Sequence, residues 1–221
     1  MAAAEENGFF LTFEGVDACG KSTQAELLHE FLRKNGQKTI HLRDPGATPI
    51  SESIRKILLD NKNAAMSAWT ELLLYEAARA QMVEESIRPA LKEGTIVLCD
   101  RFYDSTTAYQ GYGRGLDLDI VSHANIIGSV GLVPDLTFFI DVDPGEAAQR
   151  KKRLGDIADR LEAEGLAFQE KVRHGFRKIH QLEPDRVKWI DGFRSIEEIQ
   201  SEIQSILKNE LKFRYKKLDH E

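Results

Sequence analysis

The chain has 221 residues, of which 42% are hydrophobic and 30% charged, so it can bury one substantial core but not two large ones. Its formal net charge of -6 creates no overall basic field that would attract nucleic acid or a membrane surface. The acidic N-terminus lacks a signal core, and no apolar run approaches the roughly 20 residues that span a bilayer. We therefore expect one cytoplasmic domain over residues 1–221, with no nucleic-acid or membrane partner.

Five short apolar segments predict buried strands. In chain order they are residues 8–14, 38–42, 95–99, 135–141 and 186–190. The intervals between them leave room for helical crossovers, which is typical of a parallel sheet covered on both faces. The sequence therefore predicts an α/β fold.

The first strand leads into a segment with the spacing G-x-x-x-x-G-K-S, and an amphipathic helix follows it. This context is that of a phosphate-binding loop. Its backbone N–H groups would face one concavity, Lys21 would reach the β- and γ-phosphates, and Ser22 would hold Mg²⁺. The expected nucleotide-binding positions are Gly15, Val16, Asp17, Ala18, Cys19, Gly20, Lys21, Ser22 and Thr23.

The helix after this loop should turn its apolar side inward and end at Gly36 as a C-cap. Its predicted inner residues are Ala25, Leu28, Phe31 and Leu32.

The chain has two cysteines, which match neither a disulfide framework nor a zinc motif, and we expect no structural metal. Cys19 has two interpretations. It is either a small space-filling residue or a thiol whose pKa the adjacent helix N-terminus lowers, which would make it oxidisable. The first interpretation is favoured.

The second strand is followed by RDPGATP, which places Arg43 at the carboxyl end of the sheet. A long helix is then predicted from about Met66 until Pro89 kinks or interrupts it. Tyr75 and Arg79 share one face of this helix, where they could bind a nucleotide base. The alternative is a core tyrosine and a surface salt bridge. The predicted inner residues are Trp69, Leu72, Leu73, Ala80 and Val83.

The third strand ends at Asp100, where an open α/β sheet places its ligands. Asp100 is therefore a candidate partner of Ser22 at the metal. Arg101 beside it is suited to grip a second phosphate in a bidentate fork. The hydroxyls, aromatics and glycines of residues 100–115 favour a loop that lines a ligand.

Residues 150–165 are rich in charge and poorly periodic, as expected of a mobile flap over a phosphoryl-transfer site. Arg153 and Arg160 are the candidates for neutralising charge in the transition state. A last helix should begin with the capping-box pair Ser195 and Glu198, and the tail 212–221 should fray. Its predicted inner residues are Ile196, Ile199, Ile203, Ile206 and Leu207.

Several separate motifs together resemble the thymidylate kinase family, over nearly the whole chain. They are FEGVDACGKSTQ, RDPGATP, LLLYEAARAQ, DRFYDSTTAYQG, PDLTFFIDV and a basic flap ending in DRLE. The resemblance implies the P-loop nucleoside monophosphate kinase fold with a five-stranded parallel sheet. It also implies a homodimer that uses ATP and Mg²⁺ to phosphorylate dTMP.

The resemblance further implies roles for individual residues. Asp17 would contact the 3'-hydroxyl of dTMP, and Tyr109 would pack under the sugar. Arg101 would hold the dTMP phosphate, with Arg43 close by. Tyr75 would stack on thymine. The positions that match base contacts are Arg79, Thr106 and Gln110.

The family divides by whether its catalytic arginine lies in the phosphate loop, directly after the acid, or in the flap. Ala18 in the loop and a basic flap resemble the second, bacterial group. Two positions depart from the common pattern, since Asp44 and Ala47 stand where Glu and Gly are more frequent. The shorter Asp44 would loosen the contact of the longer acid. The expected catalytic residues are Lys21, Asp100, Arg153 and Arg160.

Three other functions are the alternatives. Another deoxynucleotide or deoxynucleoside kinase is the nearest one, although Arg101 argues for an acceptor that already carries a phosphate. A guanine-nucleotide switch would need an Asn-Lys-x-Asp element, and the nearest string, NKNA at 61–64, lacks the aspartate. A pure binding module would not need a basic flap.

Overall fold

The computed structural model describes residues 8–154, 160–161 and 164–218. In this part of the chain, five parallel strands form one sheet in the order β2-β3-β1-β4-β5. The strands are β1 (Phe9–Glu14), β2 (Thr39–Arg43), β3 (Ile96–Asp100), β4 (Leu136–Asp141) and β5 (Val187–Asp191). All five predicted strands are confirmed.

The helices lie on both faces of the sheet, as a parallel sheet requires. Their bounds are α1 (Lys21–Lys34), α2 (Pro49–Leu59), α3 (Ala68–Met82), α4 (Arg88–Lys92), α5 (Tyr103–Thr106), α6 (Leu118–Gly128), α7 (Pro144–Leu154), α8 (Leu166–Leu182) and α9 (Ile196–Leu218). Every residue of β1, β3 and β4 is buried, whereas the edge strands β2 and β5 are partly exposed. None of the helices in the described ranges is long and apolar enough to cross a bilayer.

Two hydrophobic cores cover the two faces, because successive strand residues point to opposite sides. One core joins Phe13 and Phe138 to α1, α8 and α9. The other joins Phe10 and Val97 to the segment from Met82 to Leu91. The predicted α/β architecture is therefore confirmed, and it places the carboxyl ends of β1 and β3 side by side.

Helix α1 matches its prediction closely. Ala25, Leu28 and Leu32 are buried, and Phe31 packs against the core from a partly exposed position. Gly36 follows the helix end with a φ of 77°, a left-handed conformation that glycine adopts at little cost.

Helix α3 is where the predicted inner face is wrong in part. Leu72 and Val83 are buried, but Trp69 and Leu73 are 47% and 65% exposed. The apolar residues of α3 lie on two faces, and among the described residues only one of these faces is covered. The helix does not end at Pro89. A wider π-helical turn over Val83–Ile87 leads into α4, where Pro89 takes a first-turn position that needs no N–H donor.

The capping box of α9 is confirmed: Glu198 accepts a hydrogen bond from Ser195 N at 2.9 Å, and Ser195 Oγ accepts one from Glu198 N at 3.2 Å. Ile199, Ile203 and Leu207 are buried. Ile196 is exposed, contrary to its prediction, because it is the first residue of the helix.

The predicted flap is only partly within the described ranges. Helix α7 extends to Leu154, so residues 150–154 of the predicted flap are helical. The expectation of a poorly periodic, mobile segment is wrong for these residues. Residues 155–159 and 162–163 lie outside the described part. The α9 backbone is helical to Leu218, residues 219–221 lie outside, and the fraying of 212–221 stays a prediction.

Candidate active site

The phosphate loop connects β1 to α1, as its spacing predicts. Gly15 has a φ of 143°, and a Cβ there would lie 2.5 Å from the carbonyl oxygen of Ile140. Gly20 is the N-cap of α1 with a φ of 100°, and in the described chain no side chain caps this helix. The first turn therefore offers its backbone N–H groups to an anion. This is the geometry of a phosphate site.

The side chains of the loop divide by exposure. Val16 and Cys19 are buried beneath it, and the side chain of Lys21 is only 7% exposed. Lys21 Nζ donates to the carbonyl of Val16 at 3.4 Å and lies 3.6 Å from Asp17 Oδ1. The ammonium group is thus held within the loop. The partly or fully exposed members are Asp17, Ala18, Gly20, Ser22 and Thr23.

Ser22 and Asp100 meet as predicted. Asp100 is in register with Phe13 at the carboxyl end of the sheet, which places it beside the loop. Ser22 Oγ donates a short hydrogen bond to Asp100 Oδ2. Among the described residues, Asp100 Oδ1 is buried without a hydrogen-bond partner. A hydroxyl and a carboxylate with a spare oxygen are ligands suited to Mg²⁺.

Asp17 and Arg101 form the centre of the site. Arg101 Nη2 donates a short hydrogen bond to Asp17 Oδ1, and Arg101 Nη1 donates to Gly15 O at 3.0 Å. Tyr109 Oη donates to Asp17 Oδ2 at 3.1 Å. Burial alone would raise the pKa of Asp17, but the charges of Arg101 and Lys21 outweigh it and hold that pKa well below its ordinary value. Asp17 is therefore ionised.

A cavity opens beside this centre, between the phosphate loop, α2, α3 and the segment after β3. It combines three arginines with two tyrosines and an amide, a set suited to a phosphate and a planar base. Its described lining residues include Asp17, Arg55, Tyr75, Arg79, Arg101, Tyr109 and Gln110. Because Asp17 belongs to the phosphate loop, this cavity adjoins the loop directly. We call it the acceptor cavity.

Arg79 forms part of the cavity wall and is 1% exposed. Its guanidinium donates to Asp44 Oδ2 at 2.6 Å and to Glu76 Oε1 at 2.5 Å. A third donor, Nη2, reaches Thr106 Oγ1 at 2.9 Å. Because Arg79 and its ion pairs are buried, the alternative of a surface salt bridge is wrong. Asp44 makes a close contact despite its shorter side chain.

Comparison with known proteins identifies the family of this chain. The family model described as thymidylate kinase matches residues 13–203. The chain belongs to the thymidylate kinase family.

A curated thymidylate kinase of Thermoanaerobacter sp. (strain X514) is 46% identical over 204 residues, covering 92% of this chain and 99% of the relative. One of Caldanaerobacter subterraneus subsp. tengcongensis is 48% identical over 189 residues, covering 86% and 89%. The crystal structure of thymidylate kinase from Ehrlichia chaffeensis superposes with a TM-score of 0.74 at 34% identity, covering 91% of this chain and 98% of that one. The P-loop kinase fold predicted from the motifs is thus confirmed.

One arginine of the acceptor cavity, Arg55, is not among the residues predicted from the sequence. Arg43, expected near the phosphate of the acceptor, has a half-exposed side chain that donates to Glu52 Oε1 at 3.0 Å. Arg55 of α2 lines the cavity instead and donates to Pro45 O at 3.0 Å. The sequence feature that could have identified Arg55 is its position one helical turn after Glu52, on the helix that follows RDPGATP. A role for Arg43 in the family's site stays a prediction.

The two flap arginines lie in different surroundings. Arg153 is exposed in the last turn of α7. Arg160 is buried, donates to the carbonyl of Leu58 at 2.8 Å and pairs with Glu71 at 2.5 Å. In this conformation Arg160 thus anchors the chain against α2 and α3, on the side of the acceptor cavity. The catalytic roles of both arginines stay predictions.

Cys19 is 1% exposed, and burial raises the pKa of its thiol despite the nearby charge of Lys21. Cys99 is buried as well, and its pKa is raised for the same reason. These surroundings favour the space-filling interpretation of Cys19 over the oxidisable one.

Glu14 provides a pH-dependent test of the site's foundation. It is fully buried, accepts hydrogen bonds from Phe102 N at 2.7 Å and Ser105 Oγ at 2.5 Å, and burial together with Asp104 raises its pKa to about 8. The folded protein therefore binds a proton that the unfolded chain releases near its ordinary value of 4.5. Between about pH 5 and pH 8, this group should lower the free energy of unfolding by up to about 1.4 kcal/mol per pH unit.

Glu14→Gln should remove that slope, which urea unfolding at several pH values would measure. Glu30→Gln, at an exposed position of α1, is the control and should keep the wild-type pH dependence. Parallel curves for the wild type and Glu14→Gln would contradict the raised pKa.

Ala47 adopts a φ of 68°, a left-handed conformation that glycine adopts at little cost. Its side chain is exposed, so little packing would be lost on substitution. Ala47→Gly should raise the free energy of unfolding by about 0.5–1 kcal/mol, because relief of strain exceeds the added entropy of the unfolded chain. Ala64→Gly, at a φ of -56°, is the control and should lower it. A loss of stability in both variants would refute the strain argument.

Proposed function

We propose that the chain transfers the γ-phosphate of ATP to dTMP, giving dTDP and ADP in the synthesis of dTTP. The observation that carries this proposal is the position of Asp17, which belongs to the phosphate loop and also lines the acceptor cavity. Two anion-binding sites therefore adjoin each other, as direct phosphoryl transfer between two nucleotides requires. Membership of the thymidylate kinase family supports the choice of dTMP.

On the donor side, residues 15–23 would cradle the phosphates of ATP with backbone N–H groups and the Lys21 ammonium. Ser22 and Asp100 would hold Mg²⁺. The buried Oδ1 of Asp100, which has no hydrogen-bond partner among the described residues, supports this role. When bound, the metal would neutralise charge on the β- and γ-phosphate oxygens. The catalytic set on this side is Lys21 and Asp100.

On the acceptor side, Arg101 and Arg55 would bind the phosphate of dTMP, and Asp17 the 3'-hydroxyl. Tyr109 would pack under the sugar. Tyr75 would stack on thymine while Arg79 and Gln110 contact its edge, with Thr106 fixing the guanidinium of Arg79. Charge complementarity supports this assignment, because the cavity combines three arginines, one of them buried, with aromatic walls.

The proposed reaction is an in-line attack of the dTMP phosphate oxygen on the γ-phosphorus of ATP. It requires no protein nucleophile, so catalysis is positioning and neutralisation of charge. The chain's own residues would contribute by excluding water and by holding both nucleotides around Asp17.

The flap arginines can be tested separately. Arg153→Ala or Arg160→Ala should lower kcat by about 10²-fold if the arginine neutralises charge that develops only in the transition state. The decrease in kcat should exceed the increase in KM for ATP or for dTMP. Steady-state kinetics in ATP and in dTMP would measure both constants. Wild-type turnover in both variants would refute the assignment of the catalytic charge to the flap.

The acceptor decides between the proposal and its alternative, another deoxynucleotide or deoxynucleoside kinase. One coupled assay of ADP release would compare dTMP, dUMP, dCMP and thymidine. We expect the highest kcat/KM with dTMP. A preference for thymidine would overturn the proposal, and ATP binding without acceptor-dependent ADP release would favour a binding module.

We also propose a homodimer, formed by the exposed apolar faces of the packed helices α3 and α6. Leu73 and Ile127 are 65% and 75% exposed, and Trp69 and Ile126 extend this surface. An apolar area of this kind on a soluble chain is suited to self-association. Light scattering should give twice the chain mass, and Leu73→Glu should reduce it to the single chain. Location in the cytoplasm, organisation as one domain and independence from nucleic acid remain predictions.

A further inference from the structure

A buried carboxylate stands behind the acceptor cavity and touches no part of the phosphate loop. Glu71, in the first turn of α3, is 0% exposed. Gln110 Nε2 donates to its Oε1 at 2.8 Å. Arg114 forks onto both oxygens at 3.1 Å, and Arg160 Nη1 lies 2.5 Å from Oε2. Two separate segments, residues 110–114 and Arg160, thus supply donors to one acid.

The two arginines keep Glu71 ionised. Burial alone would raise its pKa, but hydrogen bonds from Arg114 and Gln110 outweigh that effect and lower it. An ionised carboxylate can only accept hydrogen bonds. The Gln110 side chain therefore has to turn its NH₂ group toward Glu71.

This constraint fixes what Gln110 presents to a ligand. Gln110 is buried and lines the acceptor cavity together with Tyr75 and Arg79. One N–H of Nε2 is committed to Glu71, which leaves the carbonyl Oε1 and the second N–H of the amide for the cavity. A base group that meets Oε1 must be an N–H donor, because two facing acceptors repel each other and stay unpaired.

We propose that Glu71 is a positioning residue for base selection: by fixing the amide of Gln110, it makes the cavity accept a pyrimidine with hydrogen on N3. Thymine and uracil carry that hydrogen, whereas cytosine has a lone pair there. The inference rests on the proposed function, and it assigns the selection to a residue that does not line the cavity.

Glu71→Gln tests this directly. A second carboxamide can either donate to or accept from Gln110, so the orientation of Gln110 is no longer determined. The ratio of kcat/KM for dTMP to that for dCMP should fall about tenfold or more. The ratio of dTMP to dUMP should stay unchanged, because both bases carry N3–H. A purely structural defect would lower activity with all three acceptors and leave both ratios as they were.

Glu85→Gln is the matched control, since Glu85 lies exposed on the continuation of the same helix and accepts only from Gln81 among the described residues. Glu71→Asp keeps the charge but withdraws the carboxylate by one methylene, and it serves if Glu71→Gln does not fold. It should lower the ratio of kcat/KM for dTMP to that for dCMP by a smaller factor than Glu71→Gln does.

The outcomes distinguish the inference from the function beneath it. A wild type that does not prefer dTMP over dCMP and thymidine would overturn the proposed function. If the wild type prefers dTMP, and the folded Glu71 variants keep its ratio of kcat/KM for dTMP to that for dCMP, only the role of Glu71 is overturned.

Discussion

Replacing Lys21 with alanine is expected to lower kcat by about 10²–10³-fold, without unfolding the chain. The ammonium group is held inside the phosphate loop by the carbonyl of Val16 and by Asp17, so its position is set before ATP binds. A preorganised charge contributes most where charge develops on the transferred phosphoryl group. Turnover at saturating ATP and dTMP is the measurement that checks this.

Lys34→Ala is the matched control, because Lys34 lies exposed in the last turn of the same helix. It should keep wild-type kcat, and thermal unfolding should show both variants folded. A Lys21→Ala variant with a raised KM for ATP but a normal kcat would mean that the lysine binds ground-state phosphate and does not act in catalysis.

Arg79→Met is expected to lower the free energy of unfolding by about 3–5 kcal/mol near neutral pH. The substitution leaves the carboxylates of Asp44 and Glu76 buried without their common partner. Burial already raises the pKa of both acids, and Arg79 opposes that rise. Without the arginine, both must be protonated in the folded state. The loss of stability should therefore grow as pH increases from about 5 to 8.

Urea unfolding across that pH interval would measure the effect. Arg33→Ala, at an exposed position of α1, is the control and should change stability by less than about 0.5 kcal/mol. A small and pH-independent loss in Arg79→Met would contradict the buried ion-pair cluster.

The sheet and the phosphate loop were predictable because their determinants are local. Continuous apolar runs identify the strands, and the loop's two glycines and lysine have a fixed spacing. The packing of α3 was not predictable to the same degree. Periodicity shows that Leu73 and Trp69 are apolar and helical, but it does not show whether the same chain or a second copy covers them.

Within the site, the sequence indicated residue types better than partners. It placed Asp17, Arg101 and Tyr109 together through their motifs. It indicated Arg43 and missed Arg55, because which arginine lines the cavity depends on how the chain turns between β2 and α2. It also missed Glu71, whose donors come from segments up to about 90 positions away in the chain.

The burial of the loop thiol bears on inhibitor design. An electrophilic nucleotide analogue aimed at Cys19 would find a protonated sulfur enclosed beneath the loop, since that thiol is 1% exposed and its pKa is raised. Covalent capture is therefore a poor strategy against this protein. Reversible ligands can form ion pairs and hydrogen bonds with the acidic and basic side chains that line the acceptor cavity, so they are the better approach.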